Sequence, residues 1–238
     1  MAEADWGFLS NGLDAASIKR GVTAGFTPPN GGGTYVFGFN SQTTAPGAVG
    51  LHVGATNNPS FAPLEDDTPN PSGGSIRGAV KRAVSAAPTD FAPFLFIGLQ
   101  SVDVEDQGYL LGLSDNDPHE IVLRKGAPIG GLDPTASDVL RIGSATFTPD
   151  TWHHLRLDMI VNPNGDVVLK CFQNDLVSNP VTAPVWTAIP GMADYVDDAL
   201  GAASGSDPFV GGYLGFGFQS SNLQRRALFD HIQPLRQK

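Results

Sequence analysis

The sequence predicts an all-β fold, a sandwich or barrel of short strands. Three observations predict it. Roughly a dozen short strand patterns follow one another, separated by turn formers, with almost no helical periodicity between them. The chain of 238 residues holds 29 glycines and 19 prolines, as many turns require. Its middle carries a long hairpin pattern, Thr151–Phe172 (TWHHLRLDMIVNPNGDVVLKCF).

That hairpin organises the rest. Leu155, Leu157, Met159 and Val161 alternate with Arg156, Asp158 and Ile160, the period of a half-buried strand. Asn162-Pro163-Asn164-Gly165-Asp166 is dense in turn formers, and Asn-Gly supplies the positive φ of a tight turn. Val167–Phe172 returns, rich in β-branched and aromatic residues. The alternation predicts Leu155, Leu157, Val168 and Phe216 buried, with Asp158 and Lys170 exposed or paired.

Before the hairpin, strands are expected at Ala4–Leu9, Val22–Phe26, Thr34–Phe39 and Ala48–Val53. Asn57–Ser75, with its prolines and the acidic run Glu65-Asp66-Asp67, reads as a long loop. Ser75–Val84 alternates apolar and basic residues. Phe91–Gln100 is a near-continuous apolar run, which places it centrally in a sheet. Gly108–Ser114 and Glu120–Lys125 pair around Asp115-Asn116-Asp117-Pro118, and Val139–Phe147 leads into the hairpin. After it, Ser178–Gly211 reads mostly as loop, with a short helix over Met192–Leu200 ended by Gly201. No composition break divides the chain, so residues 1–238 are expected to form one domain.

The net charge is −10 at pH 7. A nucleic-acid partner needs clustered Lys and Arg, so none is expected. No stretch approaches the length of a membrane-spanning helix, and membrane insertion is not expected. Met1–Ala15 shows no basic segment followed by an apolar run, so no Sec-type signal is read, and synthesis in a cytoplasm is expected. The single cysteine, Cys171, excludes an intrachain disulfide and reads as a small buried hydrophobe.

The hairpin's Trp-His opening, its Leu-x-Leu alternation, its glycine-containing turn and its returning strand resemble the penultimate hairpin of laminin G-like and concanavalin A-like sandwiches. Gly212–Pro234 (GYLGFGFQSSNLQRRALFDHIQP) is similar to the last two strands of that superfamily, Gly-x-Leu-Gly-Phe followed by Phe-Asp-x-Ile. The resemblance implies a jelly roll. Such sandwiches host lectins, glycanases, adhesion modules and viral structural proteins, so fold alone does not choose among them.

Candidate chemistry is sparse. Laminarinase-type glucanases of this superfamily carry Glu-x-Asp-x-Glu, with two glutamates about 5 Å apart for a retaining mechanism. The nearest match is Ser101-Val102-Asp103-Val104-Glu105. Asp103 and Glu105 fit, but Ser101 stands at the nucleophile's place, and a hydroxyl does not replace a carboxylate there. An acidic turn explains the segment as well. Laminin G-like modules often hold calcium through two aspartates and backbone carbonyls. Asp115-x-Asp117 lacks the glycine and closing glutamate of a calcium loop, and Glu65-Asp66-Asp67 is no better, so no cofactor is expected. His153 and His154 are adjacent on a strand and point to opposite faces, which separates them as ligands. Trp186 and Tyr195 are the better candidates for stacking on a sugar, set against ordinary core packing.

With no complete catalytic set, the expected function is non-enzymatic: a structural or adhesion module of a bacteriophage particle (tail, baseplate or capsid-decorating protein) in contact with glycans. Its partners would be copies of itself, other virion proteins and cell-surface glycan, with the virion as its location. A free-standing carbohydrate-binding module and a laminarinase-type glycanase with a displaced site are the alternatives.

Overall fold

The computed structural model describes residues 6–11, 18–19, 29–32, 37–41, 48–54, 73–83, 91–101, 107–114, 119–128, 132, 138–148, 150–198, 207–220 and 225–236. Among the described residues fifteen strands run in order: β1 (Trp6–Asn11), β2 (Ile18–Lys19), β3 (Phe37–Ser41), β4 (Ala48–Gly54), β5 (Gly74–Ala83), β6 (Phe91–Leu99), β7 (Gly108–Leu113), β8 (Glu120–Gly126), β9 (Val139–Thr146), β10 (Trp152–Val161), β11 (Val167–Asn174), β12 (Trp186–Ala188), β13 (Tyr195–Asp197), β14 (Tyr213–Ser220) and β15 (Arg225–Arg236). There is no α-helix among the described residues. The expected strand at Val22–Phe26 and the loop residues 57–72 lie outside them.

The strands form two antiparallel sheets. Sheet A has the order β1-β4-β14-β6-β7-β8-β9; sheet B has the order β12-β11-β10-β5-β15-β3-β2, with β13 also on β11. Their inner faces enclose the main core, which includes Ile76, Leu95, Leu111, Leu155, Leu157, Met159, Leu169, Phe216 and Phe229. β6 lies between β14 and β7, and Pro93–Leu99 are buried on both faces, as its continuous apolar run predicts. On its outer side Phe94 and Phe96 join Leu110, Val122 and Leu132 in a second apolar cluster.

The hairpin β10–β11 forms in the expected place. Asn162 N–H donates to Asp166 O at 2.8 Å, and Gly165 takes φ +91° in the turn. Leu155, Leu157, Met159 and Val161 face inward. Asp158 is buried and paired with Arg156, and Lys170 pairs with Asp194 at 3.0 Å. Val168 departs from expectation. The returning strand starts at Val167, which is buried with Leu169 and Cys171, so the period of two turns Val168 outward.

The segment after the hairpin also departs from expectation. Residues 192–194 are irregular, and over the described part of the expected helix Met192–Leu200, residues 192–198, strand β13 forms instead, its Val196 paired with Val168 on β11. An edge strand with unpaired backbone groups outweighs weak helical propensity. The segment 186–197 closes one open side of the sandwich. Ile189 N–H donates to Cys171 O on sheet B, and Ser144 N–H on sheet A donates to Pro190 O. Ile189 and Met192 fill the gap between the sheets.

Candidate glycan-binding edge on sheet B

Register places one row of side chains across the outer face of sheet B. Trp186 pairs with Asn174, Asn174 with His154, His154 with Ala79, and Ala79 with Asp230. At the edge of the row, the Trp186 indole packs on the His154 imidazole, ring centroids 4.6 Å apart. Trp186 stays half-buried, and its strand neighbours Thr187 and Ala188 are exposed. The indole is thus fixed by its contact with the His154 ring and stays partly open to solvent, while the Thr187 side chain alternates to the other face of the strand and its Oγ1 donates to Gln173 O.

Asn174 fixes the neighbouring loop, residues 175–185. Its Oδ1 accepts from Val185 N–H at 2.9 Å, and its Nδ2 donates to Asn179 O at 3.1 Å. The same Nδ2 lies 3.2 Å from His154 Nδ1. The loop lies over the sheet with residues 29–32: Val181 N–H donates to Asn30 O, and Asn30 Nδ2 donates to Leu176 O. Val181 and Pro29 are buried beneath this cover, and so is His154, at 1 % exposure. Burial holds the His154 imidazole down at about 4, with help from the positive charges of Arg77 and His231.

At the far end of the row, Asp230 Oδ1 accepts from His231 N–H at 2.8 Å, while Oδ2 is buried without a hydrogen-bond partner. Burial raises its pKa above the usual carboxylate value. His231 takes φ +53° where the β15 register slips between Asp230 and Gln233, and this bulge returns Gln233 to the outer face against Arg77.

The other expected site residues fall elsewhere. Tyr195 pairs with Leu169 and points into the core at 6 % exposure, with the Arg141 guanidinium 4.6 Å from its ring centroid. It sits on the opposite face of sheet B from Trp186, so the two do not form one platform. Asp103 and Glu105 lie outside the described residues, as do Asp115, Asp117 and Glu65-Asp66-Asp67. Ser101 lies past the end of β6, in a connection closed by Gln100 N–H donating to Gln107 O at 3.0 Å. Among the described residues no group of three or more His, Cys, Asp or Glu side chains gathers to hold a metal. His154 and Asn174 were invisible as partners of Trp186 in the sequence, because only strand register brings them together.

No protein-family model matches the chain, and no curated protein matches it. Solved structures do match. The carbohydrate-binding module CBM66 from Bacillus subtilis aligns over 97% of this chain and 96% of its own, with a TM-score of 0.51 at 10% identity. A seed lectin of Lotus tetragonolobus aligns over 100% of this chain and 95% of its own, with a TM-score of 0.52 at 11% identity. Identity this low shows the fold alone. The protein is a concanavalin A-like jelly-roll β-sandwich.

Proposed function

We propose that the protein is a non-catalytic glycan-binding module that acts as one domain, with Trp186 as its stacking platform. The observation that carries this reading is the half-buried indole fixed on His154 at the edge of sheet B. Lectins and a carbohydrate-binding module share the fold, which supports the reading without choosing the sugar. The test is a glycan array followed by calorimetry. Trp186→Ala is expected to weaken binding about 5- to 150-fold, on the scale of about 1–3 kcal/mol known for aromatic stacking on a base, and to cost about 0.5–1.5 kcal/mol of stability through the lost contact with His154. An unchanged affinity would overturn the assignment.

The absence of hydrolysis belongs to the same proposal. Ser101 supplies no carboxylate for a double displacement, and Glu105 alone does not run both halves of it. Reducing-sugar release from β-glucans, agars, carrageenans and envelope polysaccharide is expected to stay at background. Turnover lost in Glu105→Gln would promote the glycanase reading instead.

The finer placement is an adhesion or structural module of a bacteriophage particle, in contact with its own copies or other virion proteins. The acidic chain, the jelly roll and the long Pro-rich stretch Asn57–Ser75 support it. Fixed stoichiometry with sedimenting particles is the expected result. Elution by sugar with no particle association would favour the free-standing module.

A further inference from the structure

The hydrogen-bond logic at Asn174 assigns a protonation state to its neighbour. The Asn174 amide is oriented by two independent partners: Oδ1 faces the Val185 N–H and Nδ2 faces the Asn179 carbonyl. Nδ2 is therefore the group directed at His154 Nδ1, and an NH2 only donates. His154 Nδ1 must accept, so the ring is neutral with its proton on Nε2. An imidazolium would set N–H against N–H and remove the acceptor.

The consequence reaches the binding edge. Asn174 holds residues 175–185 from both sides, at Asn179 and Val185, and Trp186 follows Val185 directly. His154 touches both parts, through Nδ1 to Asn174 and through its ring to Trp186. We propose that His154 is the positioning residue of the Trp186 platform and acts as a proton-controlled latch. As neutral imidazole it holds the 175–185 loop closed beside the indole; as imidazolium it loses its acceptor for Asn174 and releases the loop, while the ladder with β11 keeps Trp186 in register.

The surroundings favour the neutral form. Arg77 on β5 and His231 on β15 both oppose a further positive charge, and burial opposes it more strongly than either. Other charged groups on the flanking elements are Lys81 and Arg82 on β5, Arg156 and Asp158 on β10, Lys170 on β11, Asp230 on β15 and Asp175 at the start of the loop; Lys170 is engaged by Asp194, and Arg82 reaches Ser114 O on the other sheet. Arg156 is already engaged by Asp158 and Lys81 by Asp150, while Asp175 accepts from Val177 N–H and Ser178 Oγ within its own turn. Asp230 has its own pKa raised by burial and is the only nearby anion with an unpartnered oxygen among the described residues.

The sign follows from linkage. The ordinary imidazole value of 6.5 is the ceiling for the open loop, because Arg77 and His231 stay nearby, and the closed loop holds the ring at about 4, so closure is favoured fully above 6.5. Closure weakens as pH falls below that ceiling toward 4 and levels off below 4. The opening constant rises roughly tenfold per pH unit within the window, by at most about 300-fold. Glycan affinity follows only once opening nears parity, so the latch is best read without ligand.

This inference rests on Trp186 as the platform, but its test does not. The measurement is amide exchange of Val185 by NMR between pH 7 and 3.5, corrected for the intrinsic rate, with the core amide of Leu111 as control. Val185 protection is expected to fall, by up to about 300-fold, while Leu111 holds. In His154→Asn, whose Oδ1 stands near the place of Nδ1 and does not titrate, protection is expected to stay flat. A flat wild-type profile, an equal fall at Leu111, or the same fall in His154→Asn would each overturn the latch. If the variant does not fold, the His154 ring shifts decide. A midpoint near 4 in step with Val185 supports the latch, and an ordinary midpoint with Val185 unmoved overturns it. A latch that behaves as expected beside a silent glycan array would sink the binding function and leave the latch standing.

Discussion

The Tyr109 hydroxyl on sheet A donates to Asp197 Oδ2 on sheet B at 2.5 Å, joining the two layers at one end of the sandwich. The same hydroxyl accepts from Phe209 N–H at 2.9 Å, and Lys125 Nζ reaches Asp197 at 2.8 Å. Tyr109 and Asp197 are fully buried. Burial and the Asp197 carboxylate push the Tyr109 phenol far above its ordinary value, so it remains a donor at every physiological pH.

Tyr109→Phe removes the donor and strands the Phe209 N–H. A loss of roughly 1.5–3 kcal/mol is expected, the range for a bond to a charged group. Urea unfolding of the variant beside wild type checks it, and a loss below ~0.5 kcal/mol would mean that Lys125 alone satisfies Asp197.

Leu157→Ala opens a cavity between cross-strand neighbours Ile76 and Cys171, all fully or nearly fully buried. The expected cost is about 2–5 kcal/mol by equilibrium denaturation. Val168→Ala, on the outer face of the neighbouring strand, should cost clearly less; equal costs would contradict the register.

Gly191→Ala tests the closure of the open side. Gly191 takes φ +82°, and a Cβ there would stand 2.6 Å from the Ser144 amide nitrogen. Neither the backbone nor the neighbour accommodates it without displacement, so a loss above ~1 kcal/mol is expected. A drop in Tm with faster exchange of the Ser144 amide is the signature.

Asp230→Asn should stabilise the protein at neutral pH. A carboxyl whose folded pKa is raised above 3.8 opposes folding at pH values above that raised pKa. The gain from removing the charge should shrink as pH falls through the folded pKa and vanish below 3.8. Tm measured for both proteins from pH 7 to pH 3 gives the difference; a variant less stable at pH 7 would show that the His231 ring, whose Nδ1 lies 3.6 Å from Asp230 Oδ1, outweighs burial.

The strands were legible wherever one face was buried. Leu155 and Leu157 announce their register because polar residues separate them, and Phe91–Gln100 announces a central strand because nothing polar interrupts it until its end. Val168 was misread because the turn length, not the composition, sets which of two adjacent valines faces inward. Tyr195 was legible only as a choice between core and platform, for a different reason. A three-residue strand carries almost no period of its own, and the edge of β11 decides its structure. Trp186 was legible as a candidate for stacking, while the ring packed against it was not. His154 and Trp186 stand far apart in sequence and meet only through the pairing of β10 with β11 and β11 with β12.

A single amide side chain staples both sides of the 175–185 loop, and this makes the loop a cassette. Its tip at Val177 is 92% exposed, and Thr182 and Ala183 also face solvent, while Val181 alone among its apolar residues is buried. Exposed positions between the staple points can change identity without disturbing Asn174 or the sheet beneath. Sequence diversity can therefore accumulate beside the indole at little thermodynamic cost, as in a display scaffold, where recognition drifts and the frame stays constant.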